Sequence, residues 1–130
     1  MYIRFIVAEI HDHSGREAGV FQAIYKLNER GELYPYEQAE VDRILKWFDQ
    51  NLIKPDRFTS AKPPYYRKQK RAVSWFKDSA LEHIALMREL VTVLGNHGVP
   101  VEMLKSDRIG YVVYEDHHQI VAEPFADADF

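Results

Sequence analysis

The chain contains no cysteine. That excludes thiol catalysis and a disulfide framework, and it favours a reducing compartment, because small secreted domains are usually stapled by disulfides. Glycine is also sparse, with six residues in 130, scattered at segment ends and turns. There is accordingly no Gly-x-Gly-x-x-Gly fingerprint, no phosphate loop closing in Lys-Ser or Lys-Thr, and no Gly-x-Ser-x-Gly elbow. None of Ser14, Ser60, Ser74, Ser79 and Ser106 stands in a nucleophile-like context. Long apolar runs are missing as well. The opening stretch from Met1 to Val7 is broken by Glu9 and His11, too early for a secretory leader, and no window approaches the length of a membrane span. These absences predict a cytoplasmic protein with no membrane partner and no cofactor.

What is present fits a globular protein. Apolar residues make up 46% and charged residues 28% of the 130, a composition and length that predict one domain over 1–130. Tyr2 to Ile10 reads as a strand apolar on both faces except at Arg4 and Glu9. Ser14 and Glu17 match a capping box, which predicts a helix carrying Val20, Ala23, Ile24 and Leu27 and stopping at Gly31. Pro35 opens a second helix with Val41, Ile44, Leu45, Phe48 and Leu52 on one stripe, Glu37, Glu40 and Asp42 outside it, and Pro55 beyond its end.

A third helix is predicted from Ser74 to Asn96. Its stripe is Phe76, Ala80, Ile84, Met87, Val91 and Leu94, which leaves Trp75, like Trp47 on the second helix, at the margin of the core. Strands follow at 99–104, 111–115 and 119–123, the last two joined as a hairpin through Asp116-His117-His118. Residues 126–130 read as a frayed tail. The order predicts an α+β fold with three helices packed on one face of a mainly antiparallel, four-stranded sheet.

The most informative positive feature is charge. Between Lys54 and Arg71 there are seven basic residues and one acid, a net of +6, on a chain whose total is −3, so the remaining 112 residues sum to −9. The segment from about 55 to 72 also lacks periodicity, contains the tandem Pro63-Pro64, and is long for a connection without structure of its own, a combination often found in functional loops. Tyr65, Tyr66, Arg67, Lys68, Lys70 and Arg71 put stackable rings beside cations. That is how single strands of nucleic acid are held, with cations along the phosphates and rings on the bases. An acidic protein surface is an equally suitable anion. The same charges could instead be balanced within the chain by Glu37, Glu40 and Asp42. A pI near 6.1 is unlike that of a dedicated nucleic-acid binder.

The histidines offer a different chemistry. Glu9, His11 and His13 alternate and would share one face of a continuing strand, with His117 and His118 in a loop able to approach them. Imidazoles and a carboxylate on one face can ligate a divalent metal, although no recognised zinc spacing is matched. The competing reading is polar residues at strand ends. His83 borders the third helical stripe, where a hydrogen-bonded, partly buried histidine is a more common role than a general base. Arg4 must pair, with Glu9, Glu115 or Glu123 as candidates, or receive an anionic ligand.

The runs Trp75-Phe76-Lys77, Glu82-His83-Ile84, Met87 to Leu90, Gly98 to Val101, Gly110 to Asp116 and Ala122 to Phe125 resemble those of a group of small uncharacterised bacterial proteins. The resemblance extends over most of the chain. It implies a bacterial, stand-alone, full-length protein and lends no activity and no site residues. The leading expectation is a self-associating binding protein whose basic loop engages an anionic partner. A small metal-dependent or hydrolytic enzyme built on the histidines is the alternative, and a purely structural subunit of an oligomer the third.

Overall fold

A computed structural model describes residues 1–11, 16–54 and 72–125, with 8–11 and 16–18 described by their backbone. The elements run β1 (Tyr2–His11), β2 (Arg16–Gly19), α1 (Val20–Glu29), α2 (Pro35–Asn51), β3 (Val73–Lys77), α3 (Leu81–Asn96), β4 (Val101–Ser106), β5 (Tyr111–Glu115) and β6 (Gln119–Glu123). The fold is α+β. Five strands lie in the order β2-β1-β3-β6-β5, joined by antiparallel pairings, and β4 lies off that path against β1. Three helices were expected and three form, but four strands were expected where six are found among the described residues. The additions are β2 and β3.

Both additions replace predicted helix. Residues 16–19 pair with β1, His11 opposite Arg16 and Ile10 opposite Glu17, so α1 begins at Val20 with Gly19 as its N-cap rather than at Ser14, which lies outside the described residues. Its end agrees with the sequence: Gly31 adopts φ +64, a left-handed conformation that costs glycine little. Further on, Val73–Lys77 is a strand, and helix starts only at Leu81, after the turn at Asp78-Ser79. A β-branched residue and two large rings in five positions suit a pleated surface better than a helical one. Trp75, expected at the margin, is 1% exposed and lies in the core.

The chain forms two compact units. The first comprises residues 1–4, 53–81 and 105–130. Its core is built from Ile3, Trp75, Phe76, Ala80, Ile109, Ile120, Val121 and Ala122. Strand β6, which runs between β3 and β5, is buried along nearly its whole length. The second unit comprises 5–52 and 82–104 and holds α1, α2 and α3. Ile24 and Leu27 of α1, Val41, Ile44 and Phe48 of α2, and Ile84, Met87, Leu90 and Leu94 of α3 supply most of its buried apolar surface. Phe48 meets the ring of Phe21 edge to face at 5.1 Å. The inward stripe of α3 is turned slightly from the predicted one, since Leu90 is fully buried and Val91 only partly.

Candidate functional site

In the first unit, a tight polar cluster forms where β5 turns into β6. Asp116 directly follows β5 and accepts hydrogen bonds through Oδ1 from the backbone amides of His118 (2.8 Å) and Gln119 (3.0 Å). An aspartate bonding the backbone two residues on is favoured turn chemistry, and it fixes the hairpin. Its Oδ2 accepts from the Tyr114 hydroxyl at 2.9 Å and from the Gln119 amide at 3.1 Å. Burial pushes the Asp116 carboxyl up, but these donors, the His118 amide first, outweigh it and hold the group below its ordinary value. Burial and the same aspartate push the Tyr114 hydroxyl up.

Gln119 carries this cluster to the flanks of the basic segment. It is 2% exposed, and a buried amide must find partners for both ends. Its Nε2 donates to the carbonyl of Ile53 at 2.6 Å, and its Oε1 accepts from the Ser74 hydroxyl at 2.9 Å. One buried side chain therefore binds the chain just before the basic segment and again just after it. Strand pairing reinforces the second flank, with Ser74 opposite Val121 and Val73 opposite Ala122. Lys77 makes an ion pair with Glu115 at 2.7 Å.

A second polar cluster belongs to the other unit. Glu37, expected on the outer face of α2, is 1% exposed. Pro35 starts α2, and Glu37 in its first turn accepts from the Tyr34 amide at 2.9 Å. The carboxylate also bonds the His97 ring through Oε1 at 2.7 Å and accepts from the Asn96 amide through Oε2 at 3.2 Å. Tyr34 stacks on His97 with ring centroids 5.0 Å apart. Burial alone would raise the carboxyl; the His97, Tyr34 and Asn96 donors outweigh it and leave it lowered. Thus Glu37 is unavailable as a solvent-facing counter-charge, whereas Glu40 is exposed and paired with Arg43 at 2.7 Å.

The predicted site residues fall as follows. Tyr65, Tyr66, Arg67, Lys68, Lys70 and Arg71 lie outside the described residues, as does His13. His11 is in β1, opposite Arg16. His117 and His118 are exposed in the hairpin turn, ring centroids 6.3 Å apart. Among the described residues, no three histidine, aspartate or glutamate side chains group closely enough to hold a metal ion. Arg4 is half-buried and has an interaction partner. His83 is 4% exposed, with Nε2 2.9 Å from the Asn51 carbonyl and its ring against Trp47 at 4.7 Å. A carbonyl only accepts, so His83 carries its proton on Nε2 in that bond.

Sequence reasoning missed Glu37 and Gln119. The signal for Glu37 was its place in the first turn of a proline-started helix, where a carboxylate caps the free amides. Gln119 offered no comparable signal. No helix among the described residues is long and apolar enough to cross a membrane. Comparison with known proteins found no matching family model, no similar curated protein and no similar solved structure. The functional reading therefore rests on this chain's own residues.

Proposed function

We propose that this is a binding protein whose basic loop, Lys62 to Arg71, engages an anionic partner in the cytoplasm. One observation carries the reading: a net charge of +6 lies within 18 consecutive residues of a chain that is otherwise −9. Such a partition concentrates attraction for an anion at one place and repels it elsewhere, which favours a defined docking position over diffuse adsorption. Tyr65 and Tyr66 supply ring faces, and Arg67, Lys68, Lys70 and Arg71 supply cations, with Arg4 a further candidate.

The Gln119 bonds to Ile53 and Ser74 support the reading. A segment whose ends are already held together has lost part of its chain entropy before any partner arrives, so less must be given up on binding. The lack of cysteine supports the cytoplasmic setting.

The test is binding to short single-stranded RNA and DNA across a salt series, with elemental analysis of the same preparation. If the four cations at 67, 68, 70 and 71 each neutralise a phosphate, the log–log salt slope is about −3 on single strands. Binding at micromolar concentration or tighter, lost in the R67A/K68A/K70A/R71A variant, supports the proposal and makes nucleic acid the partner. Binding unaffected by those four changes overturns it. Stoichiometric metal in a protein that ignores polyanions would favour chemistry at His11, His13, His117 or His118 instead.

A further inference from the structure

His97 closes the polar cluster of the helical unit and offers one atom that the cluster leaves unused. Its side chain is 10% exposed, and its Nε2 lies 2.7 Å from Oε1 of Glu37, itself 1% exposed. A carboxylate accepts, so in the neutral ring the proton sits on Nε2 and Nδ1 holds the lone pair. Nδ1 has no hydrogen-bond partner among the described residues and is open to water. Three contacts hold the ring in place. The His97 amide donates to the Leu94 carbonyl at 3.0 Å, Tyr34 stacks on the face of the ring, and Glu37 fixes its edge.

A carboxylate behind an imidazole fixes its tautomer and orientation. It also stabilises the positive charge that the ring gains when the opposite nitrogen reacts. Glu37 is fitted for both. Burial would raise its carboxyl, but the His97, Tyr34 and Asn96 donors hold it below its ordinary value, so it stays ionised. The chain has no cysteine, which leaves imidazole as the side chain best suited to nucleophilic attack near neutral pH. His83, by contrast, is 4% exposed and too enclosed to meet a reagent, and His117 and His118 lie exposed in a turn.

We propose that His97 is a modification site that takes a phosphoryl group on Nδ1 from a small activated donor, an acyl phosphate or a phosphoramidate. The Nδ1 lone pair forms the N–P bond. The bond from phosphorus to the leaving atom breaks, and its electron pair departs with the carboxylate or, from the protonated nitrogen, with ammonia. Nothing is oxidised or reduced. Nε2 keeps its proton, so the modified ring is a cation facing the Glu37 carboxylate, while the phosphoryl anion stands in water. That division of charge suits a phosphoryl group, because a second buried anion would be costly and the open nitrogen avoids it. The inference is independent of the anion-binding reading, because no residue of the basic segment takes part.

The test incubates the whole chain with acetyl phosphate and, separately, with phosphoramidate. Phosphohistidine is then mapped by phosphorus NMR and by mass spectrometry at alkaline pH, where the N–P bond survives. One or both donors should modify Nδ1 of His97 at least about tenfold faster than they modify exposed His117 and His118. The donor that reacts identifies the source. In urea, where the cluster is gone, that preference should vanish. Glu37→Gln should slow His97 about tenfold and leave the hairpin histidines unchanged. The urea comparison needs no variant, so it decides the matter even if Glu37→Gln misfolds. Reaction at Nε2, or a rate at His97 no greater than at His117 and His118, overturns the proposal. So does a preference that persists in urea, or a folded Glu37→Gln variant as reactive as wild type.

Discussion

Each of the two units buries one extensive polar cluster, and the two are built to different ends. In the helical unit the buried group is an ion: the Glu37 carboxylate, satisfied by His97, Asn96 and the Tyr34 amide. It fastens the start of α2 to the end of α3, with no exposed charge left over. In the other unit the fully buried group is neutral: the Gln119 amide, held by the partly buried Asp116 and reaching both flanks of the most basic stretch of the chain. A buried ion stripped of its partners costs more than a buried amide in the same position. The first cluster should therefore govern stability, and the second the behaviour of the basic segment.

The largest expected effect tests whether the unit with the neutral cluster stands on its backbone alone. Gly110 has φ +127, and a Cβ there would collide with the backbone carbonyl of Glu123. Gly110→Ala should cost about 3 kcal/mol in urea unfolding from strain alone, before the collision is counted. It should also lower β5–β6 protection in hydrogen exchange more than that of α2 and α3.

Next comes Glu37→Gln, which keeps the shape but removes the charge that three donors address. A loss of about 2 kcal/mol is expected, with binding of single-stranded nucleic acid unaltered. Gln119→Leu should cost less, about 1 kcal/mol. It should also weaken nucleic-acid binding while leaving the salt slope in place, because the cations remain and only the closure of their flanks is lost. Trypsin should then cut faster between Lys54 and Arg71. If Glu37→Gln weakened binding and Gln119→Leu did not, the division of roles between the clusters would be reversed.

The pH dependence sharpens the same contrast. Glu37 and Asp116 both titrate below their ordinary values in the folded protein. Each contribution is complete above the unfolded carboxylate pKa and is lost as pH falls through the lowered folded value. Thermal stability should decline below about pH 4, and Glu37→Gln should flatten that decline. The smallest effect is expected at Arg43, whose ion pairs with Glu40 and Glu89 are solvent-exposed. Arg43→Ala should leave the unfolding midpoint unchanged, since such pairs trade Coulomb energy against side-chain entropy in water.

Much of the fold could be read along the chain. Pro35 and the stripe through Phe48 mark α2, and the hairpin strands run from Tyr111 to Glu115 and from Gln119 to Glu123, on either side of the Asp-His-His turn, as expected. The misreading at 74–80 has a definite cause. Phe76, Ala80 and Ile84 recur every four residues, so a helical stripe continues backward through a turn into a strand. Only the pairing of Ser74 with Val121 and Trp75 with Ile120 breaks the coincidence. At the candidate site, Asp116 was legible as a turn residue, but nothing local distinguishes Gln119 from any polar residue opening a strand.

Sequence by itself therefore determined the charge partition, the absence of thiol chemistry, the α+β class and the number of helices, because each depends on composition or on contacts a few residues apart. Tertiary structure alone decided which polar side chains are buried. Glu37 is satisfied by residues 59 and 60 positions away, and Gln119 by residues 45 and 66 away. A buried polar group is tolerable only where such partners converge. Convergence across that much chain is a property of the fold that no periodicity along the sequence records.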